Sequence, residues 1–320
     1  MSNINKKVVL VTGGAGFIGS HLCRKLLKLG NYVICMDNCC SGNINNIQDC
    51  FNNVDFEFKE HNVIGPYDFY VDEVYNLACP ASPQQYQKDR IFTFKTCILG
   101  EINALELANK YNAKILQAST SEVYGDALKH PQNELYWGNV NCNGVRACYD
   151  EGKRGAETIF CDYNRQYKTR IKIVRIFNTY GPNMSKDDGR VVSNFIVAAL
   201  KHSDIFIYGN GKQTRSFNYI SDLIEALILI MKTNDSVNSP INIGNPNEIT
   251  IEELAKIIVN KTKSKSKITY KESVADDPKQ RKPDISLACS LLNWKSKITL
   301  DEGLDKTIEY FRNKIAVEQK

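Results

Sequence analysis

Lys7-Val8-Val9-Leu10-Val11-Thr12-Gly13-Gly14-Ala15-Gly16-Phe17-Ile18-Gly19 passes from a short apolar run, through a glycine-rich turn, into a periodic segment. Lys7 to Thr12 reads as a buried strand. Phe17 to Leu29 reads as a helix, with Ile18, Leu22, Leu26 and Leu29 near 3.6-residue spacing. Three of the glycines follow G-x-x-G-x-x-G: Gly13 for a tight turn, Gly16 for backbone approach to a pyrophosphate, and Gly19 for close helix–sheet packing. The helix amino terminus then offers N–H groups and positive dipole to phosphates. The next strand, Tyr32 to Met36, is closed by Asp37, where a carboxylate can accept from both ribose hydroxyls. A 2′-phosphate would be repelled there, so the expected cofactor is NAD rather than NADP.

Outward from this turn, strands and helices alternate. Phe56-Glu57-Phe58, Val74 to Ala78, Lys114 to Ala118 and Ile171 to Ile176 read as strands. Helices are expected from about Thr96 to Tyr111 and Asp150 to Tyr167. This alternation predicts an α/β fold, a Rossmann-type doubly wound parallel sheet covered on both faces, with right-handed crossovers. Beyond Asn178-Thr179-Tyr180-Gly181-Pro182 the elements shorten and charged loops intervene, such as 273–283. Ile220 to Met231, Ile251 to Ile258 and Leu304 to Phe311 look helical, and Ile241-Asn242-Ile243 is a candidate to return to the main sheet. The expected division is residues 1–180 as an NAD-binding domain and 181–320 mainly as a smaller, mixed α/β substrate lobe with some segments returning. A length of 320 residues suits two such units.

Composition removes other classes. Hydrophobic residues at 42% and charged residues at 24% exclude a disordered or low-complexity chain. There is no apolar run of about 18 residues to span a membrane, and the first apolar run is too short for a signal peptide. The net charge of +5 is spread without a basic block, so no nucleic-acid partner is expected, whereas a small anionic substrate is compatible. Eleven cysteines include no C-x-x-C pair and have only four histidines as potential co-ligands. They read as reduced cytosolic thiols, with no metal site.

A reactive constellation follows the nucleotide turn. Ser119-Thr120-Ser121-Glu122-Val123-Tyr124-Gly125 ends a buried strand at the sheet's carboxyl edge. Tyr149 and Lys153, four residues apart, share a helix face. Such a pair is common on any amphipathic helix, and its weight comes from the hydroxyl-bearing strand end and the nucleotide turn beside it. Lys153⁺ and a positive nicotinamide ring are expected to depress the tyrosine from its ordinary value near about 10 toward the range a general base requires.

With T-G-G-A-G-F-I-G, S-T-S-E-V-Y-G, Y-x-x-x-K and R-I-F-N-T-Y-G-P in place, the chain resembles the extended short-chain dehydrogenase/reductase superfamily. Three further segments closely resemble the UDP-glucuronate decarboxylase (UDP-xylose synthase) family: Cys148 to Arg154, Gly189 to Phe195 and Asp276 to Asp284. The resemblance runs from about Lys7 to Phe311. It implies an internal redox cycle in which the sugar C4 is oxidised by NAD⁺, the 4-ketone accepts electrons as CO₂ leaves C5, and C4 is then reduced. Tyr149 would take the O4 proton, Lys153 would hold the nicotinamide ribose, and Thr120 would orient O4. Glu122 and Arg281 would act near the carboxylate and C5, where a guanidinium fork suits a carboxylate.

The resemblance also assigns nucleotide-sugar contacts to Asn178, Asn194 and Arg215, the last expected in a flexible loop from Gly209. Tyr86 would border the sugar, and Arg190 would face either sugar or cofactor. On the cofactor side it adds Asn38, Ser41, Gly42, Val63, Leu77, Thr96 and Thr179. Four positions depart from the family pattern: Asn62 stands for a usual Asp at the adenine, Cys79 for a Ser, Cys97 for an Asn and Cys142 for a Pro. An amide oxygen at Asn62 still accepts the adenine amino group, so a modest change in affinity is expected. The resemblance implies a homodimer built on a helix bundle. Animal members often carry an amino-terminal membrane anchor; none is read here, so a cytoplasmic enzyme is expected.

Two other readings compete within the class, a nucleotide-sugar 4,6-dehydratase and a 4-epimerase. Dehydratases share Thr120 and Glu122 but have Asp where Ser121 stands, and an epimerase does not account for the Arg281 segment. From another class, a non-catalytic NAD-sensing regulator would be expected to lose the Tyr/Lys pair, which is present.

Overall fold

The computed structural model describes residues 6–272 and 280–318. The first strand, β1 (Val8–Thr12), leads into helix α1 (Phe17–Lys28) and β2 (Tyr32–Asp37). A 3₁₀ segment, Ile44–Asn52, precedes β3 (Phe56–Glu60) and β4 (Glu73–Asn76). Two short helices follow, α2 (Pro83–Tyr86) and α3 (Arg90–Lys95), then α4 (Glu101–Lys110), β5 (Lys114–Thr120), α5 (Ala147–Tyr167) and β6 (Arg170–Ile176). Strands β11 (Pro240–Ile243), β6, β5, β4, β1, β2 and β3 form one seven-stranded sheet in that order, with every pairing parallel. The segment around Asn242 therefore does return to the main sheet.

Alternation along β1 divides the core. Val9 and Val11 pack on one side with Leu22 and Leu26 of α1, while Leu10 packs on the other with Ala104, Leu105 and Ala108 of α4. The sheet is thus buried on both faces, which is why its strands are nearly continuous in apolar residues. The chain builds outward through β2 and β3, then resumes at β4 on the other side of β1. That reversal opens a crevice at the carboxyl ends of β1 and β4, the position at which ligands bind in such sheets.

The remaining elements are smaller. They are β7 (Thr179–Tyr180), α6 (Val191–Leu200), β8 (Ile205–Tyr208), β9 (Thr214–Ser216), β10 (Asn218–Tyr219) and α7 (Ile220–Lys232) before β11, then β12 (Glu248–Thr250), α8 (Ile251–Thr262), β13 (Ile268–Lys271), β14 (Gln280–Arg281), α9 (Ser286–Leu292) and α10 (Leu300–Glu318). They make three small sheets: β10 with β7, β12-β9-β14, and β13 with β8.

Several boundaries differ from the sequence reading. The expected helix from Thr96 to Tyr111 opens as a π turn over Thr96–Gly100 before becoming α4. A π turn carries an extra residue that periodicity does not register. Helix α5 begins at Ala147, placing Tyr149 in its first turn. In the charged loop 273–283, the stretch Asp276-Asp277-Pro278-Lys279 lies outside the described residues. Among the described residues no helix is long and apolar enough to cross a membrane, and all eleven cysteines are free thiols.

Candidate active site

The residues singled out from sequence converge on one cavity of about 690 Å³ at the crevice, a size suited to a small-molecule ligand. Gly19 is the one site residue that does not line it. Its role is steric: a Cβ there would lie 2.2 Å from the Gly13 carbonyl oxygen, so only glycine lets α1 meet the turn.

At one end of the cavity, Gly13 holds φ +68° and approaches Ala78 so closely that a Cβ would sit 2.9 Å from its Cα. Helix α1 starts at Gly16 with no side-chain cap and no acidic residue in its first turn, so its N–H groups and dipole suit an anion. Asp37 ends β2 with its carboxylate accepting from the backbone N–H of Cys39 at 2.8 Å and of Ala15 at 3.0 Å. Burial raises its pKa, and these N–H bonds oppose the rise. Phe17, Ile18, Asn38, Ser41, Gly42, Asn62, Val63, Leu77, Thr96 and Thr179 line the same end or its walls. A glycine cradle, an uncapped helix amino terminus and a carboxylate at the second strand's end together fit an NAD pyrophosphate and adenosine ribose.

Tyr149 and Lys153 line the cavity together. The Tyr149 ring stacks on that of Tyr86, centroids 5.0 Å apart and planes at 4°. This stack gives Tyr86 a definite place against the Tyr149 phenol. The expectation of a depressed phenol is not met by the chain's own groups. Burial pushes Tyr149 above its ordinary value, and Lys153 and a hydrogen bond with Thr120 offset only part of the rise. Any further positive charge brought beside the ring would oppose the rise.

Lys153 rests on a buried polar layer that the sequence reading did not find. Its Nζ lies 3.6 Å from Oε1 of Glu101, with both side chains almost fully enclosed. Glu101 accepts from Gln117 Nε2 at 2.8 Å and from Asn76; Asn76 in turn accepts from the Thr12 hydroxyl at 2.6 Å. Burial pushes the Glu101 carboxyl up to about 7 despite Lys153 and the amides. Burial alone would lower Lys153, but Cys79, Glu101, Cys97 and Tyr149 outweigh it and keep the ammonium protonated.

Glu122 and Arg281, 159 residues apart in sequence, meet as a two-point pair, Arg281 Nη2 donating at 2.9 Å and Nη1 to the other oxygen. Arg146, absent from the sequence reading, adds a third bond to Glu122 at 2.7 Å. Burial opposes ionisation of Glu122, yet the two guanidinium groups prevail and hold it at about 2. Behind them Asp150 is pushed up to about 7, by burial first and by Glu122 second.

Asn242, fully buried in β11, ties both halves of this pair together. It accepts from the Tyr124 hydroxyl at 2.8 Å, two residues beyond Glu122. Its amide also donates to the carbonyls of Gln132 and Asp284, at 3.1 and 3.2 Å. Gln132 exchanges backbone bonds with Lys282 and Asp284, in the segment that follows Arg281. A lone Asn in an apolar strand was the available signal for this role. Arg146 stands three residues before Tyr149 with no comparable mark.

Arg215 is not in a flexible loop. It lies in β9, buried, directly opposite Arg281 of β14 in the parallel register. The cross-strand hydrogen bonds of β12 and β14 on either side of β9 fix it. Arg190 donates to Asp188 at 3.0 Å and feels the charge of Tyr149, which places it on the Tyr149 side of the cavity lining. Asn178 and Asn194 line the cavity with them. Among the described residues no three His, Cys, Asp or Glu side chains gather as a metal site.

The family model described as GDP-mannose 4,6 dehydratase matches residues 10–307. UDP-glucuronic acid decarboxylase 1 of Arabidopsis thaliana is 50% identical over 312 residues, covering 98% of this chain and 71% of its own length. UDP-glucuronic acid decarboxylase 1 of Xenopus tropicalis is 47% identical over 315 residues, covering 98% and 74%. Among solved structures, the UDP-glucuronic acid 4-epimerase of Bacillus cereus, in complex with UDP-glucuronic acid and NAD, superposes with a TM-score of 0.86 at 27% identity, covering 96% of this chain and 99% of that one. Half of all residues shared with the decarboxylases across nearly the whole chain, on a seven-stranded sheet of this order, leaves one conclusion: the chain belongs to the UDP-glucuronic acid decarboxylase family of the extended short-chain dehydrogenase/reductases.

Proposed function

We propose that the chain converts UDP-glucuronate to UDP-xylose and CO₂ through a UDP-4-keto intermediate, with NAD regenerated in each cycle. The observation that carries the reading is the juxtaposition of the Tyr149–Thr120–Lys153 set with the Glu122–Arg281 pair in one cavity. A proton-transfer set alone would serve an epimerase, including one acting on a uronate; the Glu122–Arg281 pair, whose Arg281 lies in a segment that resembles the decarboxylases, favours loss of the carboxylate.

The residues that would hold NAD are the Gly13–Gly19 turn, Asp37, Asn38, Ser41, Gly42, Asn62, Val63, Leu77, Thr96 and Thr179. When bound, NAD supplies a hydride acceptor and donor for the sugar C4. Tyr149 Oη takes the proton from O4 and later returns it. Lys153, kept protonated, stabilises the phenolate, and Thr120 orients O4 by sharing the phenol's hydrogen bond. The ketone so formed lies β to the carboxylate and accepts the electron pair as CO₂ leaves; C5 then takes up one proton in place of the lost carboxylate before hydride returns to C4. Arg281 is held by Glu122 and so grips the uronate less tightly than a bare cation would, which limits stabilisation of the ground-state charge.

For the nucleotide half we propose Asn178, Asn194 and Arg215 as UDP contacts, with Tyr86 and Arg190 at the sugar. The division of labour follows: residues 1–180 mainly bind NAD and carry the Tyr/Lys pair, and 181–320 mainly bind the UDP-sugar. We place the enzyme in the cytoplasm, supported by its eleven unpaired thiols. We also propose a homodimer, supported by the exposed apolar residues Ile91, Phe94 and Leu99 beside α5.

The test is purified protein with UDP-glucuronate and catalytic NAD⁺, followed by mass analysis of the sugar nucleotide. Loss of the mass of CO₂ is expected. An unchanged mass with an epimerised sugar would replace this reading by a 4-epimerase.

A further inference from the structure

Two thiols face each other in the wall of the cavity. Cys79 follows β4 at the sheet's carboxyl edge, half-buried, and lines the cavity. Cys97 is the second residue of the π turn and is fully buried. Their sulfurs are 3.3 Å apart, and Cys79 also donates to the Pro80 carbonyl at 3.3 Å. Helix α5 passes immediately beside them: a Cβ on Gly152 would lie 2.9 Å from that of Cys97. The next residue is Lys153, whose ammonium interacts with both thiols. Cys23, Cys35 and Cys50 also cluster, but they are sealed behind the glycine turn and do not line the cavity. Only the first pair combines proximity with an opening through which a reactant can arrive; the Cys79 thiol and burial push the Cys97 thiol up and Lys153 offsets only part of the rise, so the cavity-side sulfur is the one placed to attack first.

We propose that Cys79 and Cys97 form an oxidative modification site, whose reactant is a hydroperoxide and whose closure to a disulfide turns the enzyme off. Cys79, the sulfur on the cavity side, attacks the terminal peroxide oxygen. The O–O bond breaks, Cys79 becomes a sulfenic acid, and water leaves when the peroxide is hydrogen peroxide. The Cys97 sulfur then displaces the sulfenic hydroxyl as a second water, taking up the Cys97 proton. Both sulfurs are oxidised, the peroxide is reduced, and the S–S bond replaces two S–H bonds. A thiol reductant reverses the change by exchange.

Closing from 3.3 Å to a disulfide of about 2.0 Å requires the sulfurs to approach by roughly 1.3 Å. This draws the loop carrying Leu77 toward the turn carrying Thr96, both at the proposed NAD site, and alters the packing under Lys153. A displacement of about 1 Å at reacting groups costs on the order of 100-fold in rate.

The test treats the full chain with hydrogen peroxide, blocks remaining thiols with N-ethylmaleimide, and maps peptides without reduction. A linked Cys79–Cys97 peptide two hydrogens lighter is expected. It should grow in step with a loss of decarboxylation of about 100-fold, and dithiothreitol should reverse both. Cys97→Ser and, separately, Cys97→Ala should lack the linked peptide and resist peroxide, while Cys142→Ser and Cys289→Ser should behave as the parent. Recovery of both cysteines as alkylated thiols overturns the proposal. So does a linked peptide in a fully active enzyme, or peroxide inactivation at the parent's rate in a folded Cys97 variant. The inhibition arm rests on the decarboxylase reading. The mass arm needs only the parent protein, so failure of the disulfide and failure of the assigned reaction are read separately.

Discussion

The two ends of the cavity are built by opposite means. The proposed nucleotide end is shaped by a turn in which four of seven positions, Gly13, Gly14, Gly16 and Gly19, lack a side chain and pack where a Cβ would crowd its neighbours. At the reactive end, Glu122, Arg146, Tyr149, Lys153 and Arg281 are fixed by buried charge, with partners that come from Glu101 and from a segment 159 residues beyond Glu122. The first end tolerates no added volume; the second tolerates no lost charge. The contrast suggests that substitutions at the two ends fail in different ways, one in binding and folding, the other in rate and pH dependence.

Tyr149→Phe gives the largest expected effect. It should retain NAD affinity and lose on the order of 1,000-fold in turnover. Near-normal turnover would remove the proposed base and erase the contrast. Gly19→Val, at the other end, should cost roughly 3 kcal/mol or more by overpacking and abolish NAD binding in any protein that still folds; a calorimetric scan with and without NAD checks both. Tight NAD binding in that variant would mean the turn can shift.

Glu122 gives the reactive end its pH signature. Its folded pKa is about 2, against an ordinary 4.5, so its contribution is present above pH 4.5 and lost as pH falls toward 2. The difference amounts to about 3 kcal/mol. Glu122→Gln should flatten the acid limb of stability against pH, and an unchanged slope would deny the clamp. Glu101 carries the opposite sign. Raised to about 7, it contributes stability that is full below pH 4.5 and declines as pH rises through 7. Glu101→Gln should remove that decline and lower turnover by about tenfold through a less supported Lys153. Turnover at the parent's level would make the layer beneath Lys153 purely structural. The smallest effect belongs to Asn62→Asp: NAD affinity should shift by only about two- to fivefold, measured by titration, because either side chain offers an oxygen.

What the sequence made legible follows the same division. The turn, Asp37 and the strand alternation are local patterns, so spacing alone exposed them. Tyr149, Lys153 and Glu122 were legible through short motifs, and Arg281 through resemblance, although half of its segment lies outside the described residues. Arg146, Glu101 and Asn242 were not, because each acts through a partner far away in sequence and none sits in a recognisable spacing. The π turn was missed because one extra residue breaks helical periodicity without changing composition. Arg215 was misplaced because a three-residue strand among glycines reads like a loop until its neighbours on both sides are known.

The register that sets Arg215 opposite Arg281 has a further consequence. Neighbouring residues on paired parallel strands project to the same face, so one small sheet carries both guanidinium groups on a common rigid mount. If they hold the diphosphate and the uronate as proposed, the sheet acts as a caliper: the gap between the two anions a substrate presents is measured by main-chain spacing rather than by pliable side chains. A sugar nucleotide with its acid group one carbon nearer or farther would then be refused by length alone.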